Sequence, residues 1–166
     1  MKNDFRMQYP LWMMGFIIAL GMFTYGISEP TTKVINTEME QSIMIEIGSV
    51  DGIFAVGSVI LYFLMLAGFS YQLMRHNKQN PTQKIPFISF RPPEYLEQDE
   101  GMTYITRKAS QKVYTFMSWS LPILAIFAMF SPLPRFYTVW GILLVALIQY
   151  VIYYLEIRKH FKEETQ

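Results

Sequence analysis

Residues 75–112 read RHNKQNPTQKIPFISFRPPEYLEQDEGMTYITRKASQK and lie between two long apolar blocks. Arg75, Lys78, Lys84, Arg91, Arg107, Lys108 and Lys112 make seven of the chain's 14 Lys and Arg residues. Outward from this interruption, four segments contain no Asp, Glu, Lys, Arg or His: about 9–27, 52–74, 113–130 and 137–155. Each has about the 17–25 residues that a helix needs to cross a hydrocarbon core of roughly 30 Å. A soluble helical bundle requires a polar face on every helix, and these segments have none. The expected fold class is therefore all-α: a single polytopic membrane domain of four transmembrane helices in two antiparallel hairpins.

The insertion energy of the second segment sets the scale. Ile53, Phe54, Val56, Val59, Ile60, Leu61, Phe63, Leu64, Leu66, Phe69 and Leu73 each favour insertion, at roughly −0.3 to −0.6 kcal/mol for a residue at the helix centre. The sum is several kcal/mol, and no charge opposes it. The first segment is longer than the apolar stretch of a signal peptide and no small-x-small cleavage pattern follows it before Glu29, so it is read as a retained span.

Orientation follows from the basic residues. Lys2 and Arg6 precede the first span, seven lie in 75–112, and Arg158, Lys159 and Lys162 follow the fourth, against Lys33 and Arg135 on the other side. Twelve against two predicts that both termini and the 75–112 connection are cytoplasmic. The connection 28–51 is then extracytoplasmic; its Glu29, Glu38, Glu40, Glu46 and Asp51 against Lys33 give a local charge of 1 − 5 = −4. Its middle, 34–47, mixes Ile and Met with Glu at no sustained period and is expected to be a short interfacial helix or an ordered loop. Tyr9, Trp12, Tyr137 and Trp140 stand where amphipathic rings settle at the headgroups.

Candidate packing positions are small residues. Gly15 and Ala19 form a small-xxx-small pair in the first span, and Gly48 with Gly52, then Gly57 and Gly68, thin the second. Packing of the second span on the first is the expected use, with a homodimer seam as the alternative. Within 75–112, Pro81 should end the second helix and Pro92 and Pro93 should precede a new one. Glu94, Glu97, Asp99 and Glu100 early, with Arg107, Lys108 and Lys112 late, complement a helix dipole pointing toward the membrane. Met102, Ile105, Ala109 and Phe116 recur at helical spacing, predicting a short cytoplasmic amphipathic helix that leads into the third span, with Gly101 a potential break. Arg91, Asp99, Glu100, Arg107, Lys108 and Lys112 are the candidate contacts to lipid headgroups or to a partner. Pro122 should kink the third span, with Ser118 and Ser120 available to a freed carbonyl.

Catalytic chemistry is sparse. The chain has no cysteine, which excludes thiolate catalysis, thiolate metal sites and disulfides among these residues. No HExxH, P-loop, GxSxG or GxGxxG pattern occurs. His76 and His160 are two ligands without a third, a poor zinc site. Neither cofactor nor metal is expected, nor a nucleic-acid partner for a chain of formal charge +1. Ion-coupled transport ordinarily needs ionisable groups inside the membrane, and the four cores have none.

Asp99 and Glu100, then Arg107, Lys108, Ala109 and Ser110, leading into an aromatic-rich span, resemble small uncharacterised four-span membrane proteins of bacteria. The resemblance covers residues 99–120 and implies a bacterial inner membrane, with no activity attached. Three functions are compatible with these features. The first is a non-enzymatic accessory or regulatory subunit that binds lipid and another integral membrane protein, such as a transporter, a membrane enzyme or a sensor. The second is a small oligomeric transporter or pore lined by Tyr62, Tyr71, Gln149 and serines. The third is immunity against a membrane-active peptide. A lipid-acting enzyme using Asp99, Glu100 or His76 has the least support.

Overall fold

The computed structural model describes the backbone of residues 5–28, 31–37, 40–46, 48–79, 100–132 and 134–163. Four helices carry the charge-free segments: α1 (Phe5–Gly26), α2 (Ser49–Gln79), α3 (Glu100–Phe130) and α4 (Arg135–Glu163). All four are long and apolar enough to cross a membrane. At about 1.5 Å per residue, the 31 residues of α2 and of α3 each extend for about 46 Å, well beyond a hydrocarbon core of about 30 Å. α2 continues past Met74 through Arg75, His76 and Lys78, and α3 begins well before its apolar segment. Gly101 lies inside α3 and does not divide it, and the helix also continues through Pro122.

The packing runs in the order α2, α1, α4, α3. α1 packs against both α2 and α4, and α3 packs against α4, whereas no comparably extensive contact joins α2 to α3 among the described residues. Each helix is antiparallel to its neighbour. Trp12 meets Phe69 while Tyr25 meets Phe54, Tyr25 also meets Phe136 at the start of α4, and Lys112 near the start of α3 meets Glu156 near the end of α4. The N-terminal end of α1, the end of α2, the start of α3 and the end of α4 therefore share one end of the row, and the basic residues of these segments gather there. Four residues, 131–134, join α3 to α4, and the Tyr137 amide donates to the Pro134 carbonyl at 3.0 Å to start the last helix.

The connection between α1 and α2 departs from expectation. In place of the expected short interfacial helix or ordered loop it forms an antiparallel hairpin, with β1 (Thr31–Thr37) paired to β2 (Glu40–Glu46) in a register that sets Thr31 opposite Glu46 and Thr37 opposite Glu40. Composition explains it. Thr31, Thr32, Val34, Ile35 and Thr37 in one strand and Ile43 and Ile45 in the other are β-branched, and such side chains lose rotamer freedom in a helix but fit a pleated strand.

Few side chains are buried. Ala19, Ala55, Leu73 and Val145 are buried singly, and Ile105, Ala109, Tyr153 and Ile157 form a cluster with Val113 packed against it. No residue of α3 between Val113 and Phe130 is buried. In water this would be untenable; in hydrocarbon it costs nothing, because lipid tails are as apolar as the side chains they touch.

Candidate functional site

The charged end of the α3–α4 pair is where polar chemistry and packing coincide. Ile105 and Ala109 stand one turn apart on α3, and Tyr153 and Ile157 one turn apart on α4, so each pair presents a single stripe to the other helix. Ala109 is fully buried, which lets the two backbones approach. Beside this cluster Glu156 is buried, at 8% exposure, and accepts a hydrogen bond from the Lys112 ammonium at 2.5 Å. His160, one turn farther along α4, places Nε2 3.8 Å from the other Glu156 oxygen. Buried Thr106 has its hydroxyl 3.1 Å from the Thr103 carbonyl, to which it donates.

An open groove of about 780 Å³ runs from this polar cluster along α3. Lys108, Gln111, Lys112 and Thr115 line one end; Phe116, Trp119, Ser120 and Ile123 continue it, with Ile152 of α4 on its flank. The lining positions recur every three or four residues, which is one face of a helix. Of the candidate contacts read from sequence, Lys108 and Lys112 share this groove, and Arg107 is exposed and does not line it. Glu100 is the first residue of α3, and Arg91 and Asp99 lie outside the described residues, as do 85–90 and the proline pair. Ser118 donates to the Tyr114 carbonyl at 2.9 Å, so it serves its own helix one turn back. The Ser120 hydroxyl is buried with no hydrogen-bond partner in the structure, so it does not reach a carbonyl freed by Pro122.

The packing glycines divide. A Cβ built on Gly15 would strike the Met65 methyl, and one on Gly68 would come within 3.0 Å of the Trp12 ring, so both sit in the α1–α2 seam, where Ala19 is also buried. Gly52 lies in the first turn of α2, its amide bonded to the Gly48 carbonyl at 2.7 Å. Gly57 does not pack: nothing lies within 4 Å of a Cβ placed there, because it faces away from α1. Among these glycines the close approach to backbone is at Gly26, where a Cβ would lie 2.5 Å from the Ala55 nitrogen and 2.6 Å from the Asp51 carbonyl oxygen. Trp12 of α1 donates its indole hydrogen to the Gln72 side chain of α2, a polar link within the apolar seam.

Glu156, Gln72 and Gly26 are the residues that sequence reasoning passed over. For Glu156 a signal existed: it adjoins Ile157 and lies one turn past Ile152 on the stripe that faces α3. Among the described residues no three His, Asp or Glu side chains form a group that would hold a metal ion.

No protein-family model matches the chain. No solved structure matches it either. The chain is similar to the uncharacterized lipoprotein YgaO of Bacillus subtilis (strain 168), with 28% identity over 105 residues, 61% of this chain and 65% of that protein. The match thus spans less than two thirds of that relative's length.

Proposed function

We propose that this chain is a non-enzymatic accessory or regulatory membrane subunit that binds another integral membrane protein. The observation that carries the reading is the open row of helices. Among the described residues, α2 and α3 stand at opposite edges of the row with no extensive contact between them, and large apolar side chains on the outer faces of both edge helices are exposed. Gly57 is a small residue on such an outer face, and small residues are what transmembrane helices use to approach one another. Several polar groups inside the apolar segments bond within the chain: Trp12 to Gln72, and Ser58 and Ser70 to carbonyls of their own helix. Such groups support packing more than substrate transfer.

Both termini and the 75–112 connection face the cytoplasm in this reading, supported by the twelve-to-two distribution of basic residues and by the antiparallel order of the helices. A bacterial inner membrane is supported by the resemblance of residues 99–120.

Photo-crosslinking decides the matter. A photoreactive residue at Val56 or Gly57 in native membranes should give one discrete adduct with another membrane protein, and the same residue in α1 at Ala19 should give none. Adducts with lipid only, together with a monomer in mild detergent, would overturn the proposal. Tags on the two termini should be reachable only from the cytoplasmic side.

A further inference from the structure

The groove along α3 has a cationic end and an apolar body, and we propose that it is a binding site for one anionic phospholipid of the leaflet on the Lys108 side. Lys108, Lys112 and Gln111 at its mouth suit a phosphodiester headgroup, and Thr115 lies one turn deeper, at the level of the glycerol esters. Phe116, Trp119, Ile123 and Ile152 then provide an apolar wall for an acyl chain. From Lys112 to Ile123 the helix rises about 16 Å, close to the depth of one leaflet in a core of about 30 Å.

Charge decides the class of lipid. Glu156 already holds Lys112, at 2.5 Å, and is itself buried on the α4 side. Lys112 is half exposed, at 52% for its side chain, and an ammonium has three donors, so it serves Glu156 and still presents hydrogens to the groove. Lys108 forms no salt bridge to Glu156, so the mouth carries a net +1 from two lysines and one carboxylate. A zwitterionic headgroup would bring its own ammonium toward this cation; phosphatidylglycerol would not. Arg107, adjacent in sequence but off the groove, is a built-in control, because a diffuse basic belt would use it equally.

Trp119 is 71% exposed and lines the groove, so it reports occupancy directly. The full-length protein is reconstituted in phosphatidylcholine vesicles with a minor fraction of brominated phosphatidylglycerol or, separately, brominated phosphatidylcholine. Trp119 quenching is taken as the difference between the native chain and Trp119→Phe. The brominated anionic lipid should quench more than the brominated zwitterionic lipid at equal mole fraction. Lys108→Gln should lower the relative affinity about fivefold, the usual value of one lysine near an anionic surface. Arg107→Gln should leave it unchanged, and millimolar inorganic phosphate should not compete. Equal quenching by the two lipids, an effect of Arg107→Gln as large as that of Lys108→Gln, or displacement by free phosphate would each overturn the assignment. Lys108 acts on Glu156 only through space and makes no ion pair with it, so Lys108→Gln keeps the Lys112–Glu156 bond and its effect reports on the groove.

Discussion

Between α1 and α2 the contacts recur along the whole apolar length. Tyr9, Trp12 and Phe16 each set a ring against Phe69, Phe16 also meets Tyr62, Tyr25 meets Phe54, and Gly26 closes the far end against the backbone of α2. Between α3 and α4 they concentrate at the charged end, in Ile105, Ala109, Tyr153, Ile157 and the Lys112–Glu156 pair, with Leu124 packed over Gly141 farther along. The difference follows from the solvent. Two helices surrounded by hydrocarbon gain nothing from hiding apolar surface, so the first hairpin relies on ring geometry, close approach and an interhelical hydrogen bond. The α3–α4 cluster sits among Arg107, Lys108, Lys112, Arg158 and Lys159, which belong at the interface, and there water drives aliphatic burial in the ordinary way.

This contrast predicts unequal costs for equal surgery. Ile157→Ala removes one of the largest fully buried side chains, and it should cost about 2 to 5 kcal/mol, the range for truncating a buried Ile or Leu in a watered core. Unfolding in mixed detergent micelles measures it, and a cost below that of any α1–α2 substitution would invert the assignment of forces. Gly26→Ala comes next, at about 1 to 3 kcal/mol, since the added methyl meets backbone atoms on α2 that no rotamer change can move. The same assay applies, and a neutral result would mean that the two helices cross farther apart than Gly26 implies.

The sequence showed the four spans because charge-free runs of this length have few alternative fates, and it showed the antiparallel pairs because the 131–134 connection is too short for anything else. It did not show the β-hairpin: 34–47 has no sustained repeat, and the informative feature is the β-branched residues on either side of Glu38 and Met39. The site was legible in part. Lys108 and Lys112 stood out as cations leading into a span, but their separation from Arg107 depends on helix rotation, and their neighbour Glu156 is 44 residues away along the chain. Gly57 and Gly26 show the same limit: both are glycines near a span, and only the direction each faces distinguishes a tight crossing from an open surface.

Gln72→Leu is a smaller test of the first hairpin. It leaves the Trp12 indole without its acceptor but keeps the side-chain volume and the ring contacts with Phe69. Interhelical hydrogen bonds in bilayers contribute about 0.6 kcal/mol on average and at most about 1.7, because the separated helices find other partners, so a loss near 1 kcal/mol is expected. Tryptophan emission should shift as the indole loses its bond, and the shift should vanish in a Trp12→Phe background.

The smallest expected effect is at Gly57, and it separates stability from association. Gly57→Leu adds a large side chain where nothing lies within 4 Å, on a helix whose outer neighbours Val56 and Ile60 are already exposed. Replacing glycine inside a helix also removes its backbone entropy penalty, so the purified monomer should unfold within about 0.5 kcal/mol of the native chain or slightly later. If the outer face of α2 receives another protein's helix, the same substitution blocks close approach there, and the crosslinked adduct from Val56 should disappear while the α1–α2 contacts stay intact. Gly15→Leu provides the opposite pairing, because its cost falls on the α1–α2 seam at Met65. A protein in which Gly57→Leu destabilises the monomer as much as Gly15→Leu would have α2 covered by its own chain, and the uncovered face on which the subunit reading rests would not exist.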